Sequence, residues 1–166
     1  DPACLRAALT VLGEMGCVLC EEPQRLTVCA PCRLVRARQI RSMPYPGFPT
    51  DAMAPFTAAA CVAEGTSLLV ETVFENRFRH VDELRRMGAK IKVDGRVAVV
   101  EGGTLCGAAV RCTDLRGGAA LVLAALAAEG TSTVGALQHL ERGYPDWERQ
   151  LAAVGAKLTR RAKENG

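Results

Sequence analysis

This chain of 166 residues repeats parts of its own sequence. The segment VAEGTS at 62–67 returns as AAEGTS at 127–132, an offset of 65 residues. Further repeated landmarks are Thr50-Asp51 and Thr113-Asp114, LRRMGAKIKV at 84–93 and LAAVGAKLTR at 151–160, and LGEMGCVLC at 12–20 as an earlier echo. A repeat of this kind is one supersecondary unit that buries its helices on neighbouring units. The chain is therefore expected to be built from copies of one unit.

Each unit is predicted to run strand, Thr-Asp turn, helix, AEGT turn, strand, arginine-bearing loop, helix, glycine turn and hairpin. The hairpin is clearest at Asp94-Gly95, which joins the alternating stretches AKIKV and RVAVV. Hydrophobic residues make up 49% of the chain and aromatic residues only 4%, which favours short strands packed under amphipathic helices. The predicted fold class is α/β, with repeated βαβ-type units at about 1–66, 67–131 and 132–166.

The ends of the chain do not coincide with the predicted unit boundaries. We expect a helix at about 3–15 and a final strand near Arg161, so that the first and last units are incomplete. Because the chain starts with Asp1-Pro2 instead of Met, we expect it to begin inside a longer gene product, and because the first unit is incomplete, we expect its missing strand to lie upstream. Residues 1–166 would then form most of one domain.

Charge, hydropathy and cysteine content bear on the class of protein. The 21 basic and 18 acidic residues are interspersed, and no basic face with stacking aromatics predicts nucleic-acid binding. No apolar run reaches the roughly 18 residues needed to cross a bilayer, so no membrane partner is predicted. The eight cysteines lie in helix-like and strand-like segments rather than loops. We therefore expect a cytoplasmic protein with free and mostly buried thiols.

The segment PYPGFPTDAMAPF at 44–56 stiffens the approach to one carboxylate. Each of its three prolines fixes φ at about −65° and restricts the residue before it. Asp51 follows at a predicted helix start, as Asp114 does in the next unit, and each can cap free backbone N–H groups there. A cap does not require three flanking prolines, whereas a general base must be held in place. Asp51 is therefore a candidate for both roles.

Several segments together resemble one enzyme family. These are PYPGFPTDAMAPF, ETVFENRFRHVDELRRMGA at 71–89, TDLRGGAALVLAALAAEGT at 113–131 and ERGY at 141–144. In this order they are similar to the UDP-N-acetylglucosamine 1-carboxyvinyltransferase family. The resemblance runs through essentially the whole chain and corresponds to the carboxyl-terminal part of the family's sequence. It implies an inside-out α/β barrel domain of the enolpyruvyl transferase type, with substrates bound between two domains.

The resemblance also implies a reaction. The enolpyruvyl group would pass from phosphoenolpyruvate to the 3-hydroxyl of UDP-N-acetylglucosamine, the first committed step of peptidoglycan synthesis, without a metal or organic cofactor. The family's catalytic cysteine and an active-site lysine lie upstream, so none of the eight cysteines here receives the catalytic role. The chain alone is therefore expected to be inactive.

Three residues receive catalytic roles from the resemblance. Asp51 would contact the sugar hydroxyl and act as the base for its attack on phosphoenolpyruvate. Arg142, in ERGY, and Arg116, at a helix start, would grip the phosphate and the carboxylate of phosphoenolpyruvate, since guanidinium groups bind both with paired hydrogen bonds.

Three further residues receive binding roles. Val73 and Phe74 would pack against the nucleotide, although a core position for Phe74 is also open. Arg77 would either contact the ligand or form a structural ion pair with Glu75 or Asp114.

A zinc module is an alternative from a different class. Cys17-x-x-Cys20 and Cys29-x-x-Cys32 could supply four thiolates. The first pair, however, falls on a predicted strand, where residues i and i+3 face opposite sides. No metal site is therefore predicted.

Two alternatives concern the activity itself. The first is a shikimate-type enolpyruvyl transferase, which shares the fold, although PYPGFPTD and FENRF argue against it. The second is a catalytically silent half that only binds a UDP-sugar. His80 and His139 have no matching metal ligands nearby in the sequence and are expected at the surface or at helix caps.

Overall fold

A computed structural model describes residues 2–161 of the chain. A 3-10 helix at Pro2–Leu5 leads into α1 (Arg6–Glu14), followed by β1 (Val18–Glu22) and β2 (Arg25–Cys29). The middle of the chain contains β3 (Gln39–Arg41), α2 (Thr50–Val62), β4 (Thr66–Val70), α3 (Val81–Arg86), β5 (Lys90–Asp94) and β6 (Val97–Glu101). The last part contains β7 (Ala109–Arg111), α4 (Leu115–Ala127), β8 (Thr133–Gly135), α5 (Gln138–Glu141) and α6 (Trp147–Ala153).

The strands form small sheets in which parallel pairs are linked through helices. β3 and β4 are parallel and connected by α2, and β7 and β8 are parallel and connected by α4. The four-stranded sheet has the order β3-β4-β6-β5, with β6 antiparallel to both neighbours, and β1 pairs with β2 as an antiparallel hairpin. A parallel pair requires a crossover connection. The prediction of an α/β fold with βαβ-type units is confirmed.

The centre of the molecule is the contact between α2 and α4. Five of the 13 residues in each helix are alanines, and Ala60 and Ala120 are 0% exposed. Small side chains allow two helices to approach closely, and larger ones such as Met53 and Leu121 fill the space around the contact. Helices α2 and α4 therefore have little freedom to move relative to one another.

Glycine turns show that the sequence repeats are structural repeats. The AEGT turns after α2 and α4 place Gly65 and Gly130 at φ of 98° and 89°. A second glycine turn recurs after α1, α3 and α6, where Gly16, Gly88 and Gly155 have φ of 93°, 89° and 95°. Residues with a Cβ avoid this region of φ. Each repeated glycine in the sequence therefore marks a repeated reversal of the backbone.

Two predicted element boundaries are wrong. The two residues of the hairpin turn are Gly95 and Arg96, because Asp94 still pairs with Val97 in the ladder. The segment that ends at Arg161 is not a strand, because no strand among residues 2–161 pairs with it. Within the same residues, no helix is both long and apolar enough to cross a membrane.

The expectation that most thiols are buried is also wrong. Only Cys17, Cys61 and Cys112 are buried, and the other five cysteines are exposed. The hairpin of β1 and β2 explains part of the difference, because most of its residues face solvent. Burial raises the pKa of Cys61 to about 12 and that of Cys112 to about 11, so both are un-ionised at neutral pH.

Candidate functional site

The proline-rich loop between β3 and α2 is closed on itself. The backbone N–H of Met43 donates to the carbonyl of Phe48 at 2.9 Å. A Cβ added to Gly47 would lie 2.5 Å from Met43 Cβ, so this turn accepts only glycine. The ring of Phe48 is buried and meets Phe56 of α2 edge-on, with 5.1 Å between centroids. The loop is therefore fixed against the helix that it precedes.

The carboxylate of Asp51, in the first turn of α2, lies between two guanidinium groups. Arg77 Nη2 is 2.6 Å from Oδ1, and Arg116 Nη2 is 2.7 Å from Oδ2. The hydrogen bond from Arg116, with the charges of both arginines, holds the pKa of Asp51 below its ordinary value despite partial burial. The side chain of Asp51 is 54% exposed, so this ionised carboxylate is open to solvent.

Each of the two arginines also contacts an aromatic ring. Arg116 Nη1 donates to the Tyr144 hydroxyl at 2.8 Å, and its guanidinium carbon lies 5.5 Å from the centroid of that ring. The Arg77 guanidinium carbon lies 5.3 Å from the centroid of Phe74. Both are cation–π distances. We refer to the five side chains Phe74, Arg77, Asp51, Arg116 and Tyr144 as the Asp51 row.

Asp51 does not cap its helix, contrary to the sequence expectation. The N-cap of α2 is Pro49, which makes no capping hydrogen bond, and the Asp51 carboxylate turns to the arginines instead. Asp114 is the N-cap of α4, and its Oδ1 accepts from the Gly117 N–H at 2.8 Å. The predicted cap is confirmed for Asp114 and wrong for Asp51.

The two Thr-Asp dipeptides are not at equivalent positions. Helices α2 and α4 have 13 residues each, and Gly65 and Gly130 follow them at the same distance. The structural offset between the repeats is therefore 65 residues, the separation of Asp51 and Arg116. Asp51 and Arg116 are each the second residue of their helix. Their ion pair joins corresponding positions of two repeats.

A second carboxylate, Glu71, lies behind the Asp51 row and is 1% exposed. Its Oε1 accepts from the backbone N–H groups of Val73 and Phe74 at 2.8 and 3.1 Å. Oε1 also accepts from the Ser42 hydroxyl at 2.7 Å, and Oε2 accepts from the Thr50 hydroxyl at 2.7 Å. Burial raises the pKa of Glu71, but these hydrogen bonds outweigh burial and lower it. Glu71 is therefore a buried, ionised acceptor with four donors.

The structure places the predicted binding residues as follows. Val73 and Phe74 are 38% and 52% exposed, so Phe74 does not occupy the core position that the sequence left open. Arg77 pairs with Asp51, whereas Glu75 pairs with Arg96 at 3.0 Å. Contact of these residues with a nucleotide stays a prediction.

Arg142 stands apart from the other predicted residues. It is exposed at the C-cap of α5, and no carboxylate among residues 2–161 pairs with it. The ERGY segment contributes Tyr144 to the Asp51 row instead. A role for Arg142 in binding phosphoenolpyruvate stays a prediction.

His80 is fully buried, contrary to the expectation of a surface or capping side chain. Neither ring nitrogen has a hydrogen-bond partner among the described residues. Burial lowers the pKa of His80 to about 4, although the nearby charge of Asp114 opposes this shift. A Cβ added to Gly117 would lie 3.1 Å from His80 Cβ, so this neutral side chain packs under the start of α4.

Sequence patterns did not identify Glu71 or Tyr144. Glu71 directly follows the apolar strand β4, and an acidic residue at that boundary was the available signal. Among residues 2–161, no group of three or more His, Cys, Asp or Glu side chains could hold a metal ion. The chemistry available to the Asp51 row is acceptance of a proton by a carboxylate and binding of anions by two arginines.

Comparison with known proteins places these features in a family context. Residues 1–151 match the family described as EPSP synthase (3-phosphoshikimate 1-carboxyvinyltransferase). The chain is 48% identical over 154 residues to the UDP-N-acetylglucosamine 1-carboxyvinyltransferase of Halothermothrix orenii, and 50% identical over 161 residues to that of Gloeobacter violaceus. These alignments cover 93% and 96% of this chain but 37% and 35% of the relatives. The chain spans little more than a third of the curated relatives it matches.

Solved structures agree with this fold. The enolpyruvyl transferase NikO from Streptomyces tendae superimposes with a TM-score of 0.82 at 31% identity, over 92% of this chain and 36% of that one. An EPSP synthase from Acinetobacter baumannii has a TM-score of 0.67 at 19% identity, over 95% of this chain and 37% of that one, which shows the fold alone. The resemblance seen in the sequence motifs is confirmed.

Proposed function

The chain belongs to the EPSP synthase family of carboxyvinyltransferases, and from this premise we propose that it supplies a substrate-binding domain of an enolpyruvyl transferase acting on UDP-N-acetylglucosamine. The relatives that are 48% and 50% identical to it carry that name. The reaction would move the enolpyruvyl group of phosphoenolpyruvate to the 3-hydroxyl of the sugar and release phosphate. Its place would be peptidoglycan synthesis in the cytoplasm.

The observation that carries this proposal is the position of Asp51 between Arg77 and Arg116. A carboxylate in two ion pairs is ionised but is a weak base, because both hydrogen bonds favour its charged form. Phosphoenolpyruvate carries a phosphate and a carboxylate, and either group competes with Asp51 for Arg116. When the anion takes over Arg116, Asp51 loses its strongest stabilising contact and its pKa rises. Substrate binding would therefore turn Asp51 into a base for the sugar hydroxyl.

The remaining predicted residues have roles consistent with their exposure. Arg142 is available to hold the second anionic group of phosphoenolpyruvate. Val73 and Phe74 offer an exposed apolar surface for the nucleotide, and Arg77 lies beside it. These four residues, with Arg116 and Asp51, make up the proposed site.

The proposed site requires a second domain. Residues 1–166 would form most of one domain, and the resemblance places the family's catalytic cysteine and lysine in a domain upstream. Closure of two domains would exclude water and complete the charge stabilisation of the reaction. The chain alone would then bind substrate without turnover.

A shikimate-type transferase is the second candidate, because the matched family carries the name of that enzyme. A substrate panel separates the two. The complete gene product that contains residues 1–166 is supplied with phosphoenolpyruvate and either UDP-N-acetylglucosamine or 3-phosphoshikimate, and phosphate release is measured.

We expect release with the UDP-sugar only. Release with 3-phosphoshikimate would support the second candidate. Calorimetric binding of the UDP-sugar without any phosphate release would identify a silent binding protein, and neither binding nor release would contradict the proposal.

A further inference from the structure

The two repeats differ most in the loop that enters their central helix. Residues 42–49 connect β3 to α2, whereas residues 112–114 connect β7 to α4, five residues fewer. Both loops leave the sheet in the same way. Ser42 N–H donates to the Val70 carbonyl at 2.9 Å, and Cys112 N–H donates to the Gly135 carbonyl at 2.9 Å. Ser42 and Cys112 therefore correspond, and the extra residues follow them.

The residue after the second parallel strand also differs. Glu71 directly follows β4, and Ala136 directly follows β8. The second repeat thus has an alanine where the first has a carboxylate, and Ala136 has a φ of 57°, so the two loops diverge at this residue. Burying an ion is costly unless donors surround it. The first repeat offsets that cost with four donors, so the carboxylate belongs to a loop path that is particular to this repeat.

The four donors lie on the segments that carry the proposed site. The Thr50 hydroxyl is on the residue before Asp51, and the N–H groups of Val73 and Phe74 belong to the exposed apolar surface. The Ser42 hydroxyl donates to Glu71 and also accepts from the Thr72 N–H at 2.8 Å. One carboxylate thereby fixes the start of α2, the loop before it and the loop after β4.

We propose that Glu71 is a positioning residue: its carboxylate fixes Asp51 and the Val73-Phe74 surface relative to each other, so that both meet the substrate in one geometry. Glu71 touches none of the reacting groups. It acts through the Thr50 hydroxyl and the two backbone N–H groups. This inference rests on the proposed function, because it assigns Glu71 to the same site.

The test compares Glu71→Ala with Glu71→Gln in the complete gene product. Alanine is the residue of the second repeat and removes all four hydrogen bonds. Glutamine keeps a carbonyl oxygen for Ser42, Val73 and Phe74. Misplacing a reacting group by about 1 Å can cost about 10²-fold in rate. We expect Glu71→Ala to lower kcat by at least about tenfold and to raise KM for the UDP-sugar, and Glu71→Gln to restore most of both.

Hydrogen exchange supplies a readout that does not depend on turnover. The amides of residues 73 and 74 should exchange faster in Glu71→Ala than in wild type, while the amides of α4 stay unchanged. Glu75→Gln is the matched control, because Glu75 lies in the same loop, is exposed and pairs only with Arg96 among the described residues. It should alter neither the exchange nor the kinetics.

A second pair of variants covers the case in which Glu71→Ala does not fold. Thr50→Val deletes only the hydroxyl bond beside Asp51, and Thr50→Ser keeps it. We expect a smaller loss of kcat for Thr50→Val and near-normal kcat for Thr50→Ser.

Failure of the proposed function and failure of the role of Glu71 would give different results. A wild-type protein that releases no phosphate with UDP-N-acetylglucosamine would overturn the proposed function and with it this role. An active wild type whose kcat and KM persist in Glu71→Ala, or in Thr50→Val if the first variant is unfolded, would overturn the role of Glu71 alone.

Discussion

The starts of α2 and α4 occupy corresponding places in two repeats, but different groups stabilise them. Helix α4 begins with its own cap, Asp114, and packs on the buried side chain of His80. Helix α2 begins without a side-chain cap, and the hydroxyl of its first residue, Thr50, donates to the buried Glu71. The comparison shows that α2 is held by a residue from another segment. Its acidic residue, Asp51, does not serve as a cap and pairs with Arg77 and Arg116 instead.

The largest predicted effect is a loss of turnover when Asp51, at the start of α2, is replaced. In the complete gene product, Asp51→Asn should lower turnover by about 10²- to 10⁴-fold, or about 3 to 5 kcal/mol of barrier, because asparagine cannot accept the proton. Binding of the UDP-sugar should weaken much less, since asparagine keeps the shape and one carbonyl oxygen. Turnover, UDP-sugar affinity and thermal midpoint are the measurements.

Asp82→Asn is the matched control for that experiment. Asp82 also pairs with an arginine, Arg85, at 2.8 Å, but it lies on the exposed face of α3. It should leave turnover unchanged. Near-normal turnover in Asp51→Asn, or a loss that only follows its thermal midpoint, would remove Asp51 from the proposed catalytic role.

The next largest effect concerns His80, which packs under the start of α4. The unfolded chain protonates this histidine near its ordinary pKa of 6.5, whereas the buried ring resists protonation down to about 4. The unfolded state therefore binds more protons in this window, and stability falls as the pH falls. Protonation of His80 therefore leaves the free energy of unfolding unchanged above pH 6.5 and lowers it by roughly 3 kcal/mol between pH 6.5 and pH 4.

Unfolding by denaturant between pH 7 and pH 4.5 measures this loss. His80→Gln should flatten the pH dependence of the free energy of unfolding relative to wild type. Parallel pH curves for wild type and His80→Gln would show that His80 titrates normally in the folded protein.

The smallest predicted effect is on the free energy of unfolding, for substitutions at Asp51 and Asp114. Asp114→Ala removes a cap and should cost about 1 kcal/mol, whereas Asp114→Asn should cost little because asparagine caps equally well. Asp51→Ala and Asp51→Asn should cost the same as each other, since both remove the two partly exposed ion pairs, which contribute about 0 to 1 kcal/mol each, and neither removes a cap. Denaturant midpoints of the four variants are compared, and a benefit of asparagine over alanine at position 51 but not at position 114 would contradict the assignment of the cap.

Local chemistry made the repeated architecture predictable from the sequence. Glycines such as Gly65 and Gly88 mark backbone reversals, and alternation marks the strands of the hairpin. Two landmarks gave different alignments of the central helices, since the AEGT turns are 65 residues apart and the Thr-Asp dipeptides 63. The structure follows the AEGT turns, because Thr50-Asp51 lies inside α2 whereas Asp114 precedes α4.

The arrangement of the site depends on contacts between distant residues. Asp51 was identified from its prolines, but its partner Arg116 is 65 residues away, and no local pattern specifies that contact. In the sequence, Glu71 is indistinguishable from an ordinary loop residue. Its burial depends on hydroxyl hydrogen-bond donors that are 21 and 29 residues away. Such partners are set by how α2 packs on α4 and by how β3 pairs with β4.

The contact of Asp51 with Arg116 also limits how similar the two repeats can become. These residues hold the same position in two copies of one unit, so identical copies would place two aspartates or two arginines against each other. Like charges in contact repel. Replacing both repeats by their consensus, a common route to more stable repeat proteins, would preserve the glycine turns but eliminate the ion pair. Redesign of this chain for stability should therefore leave the two helix starts different.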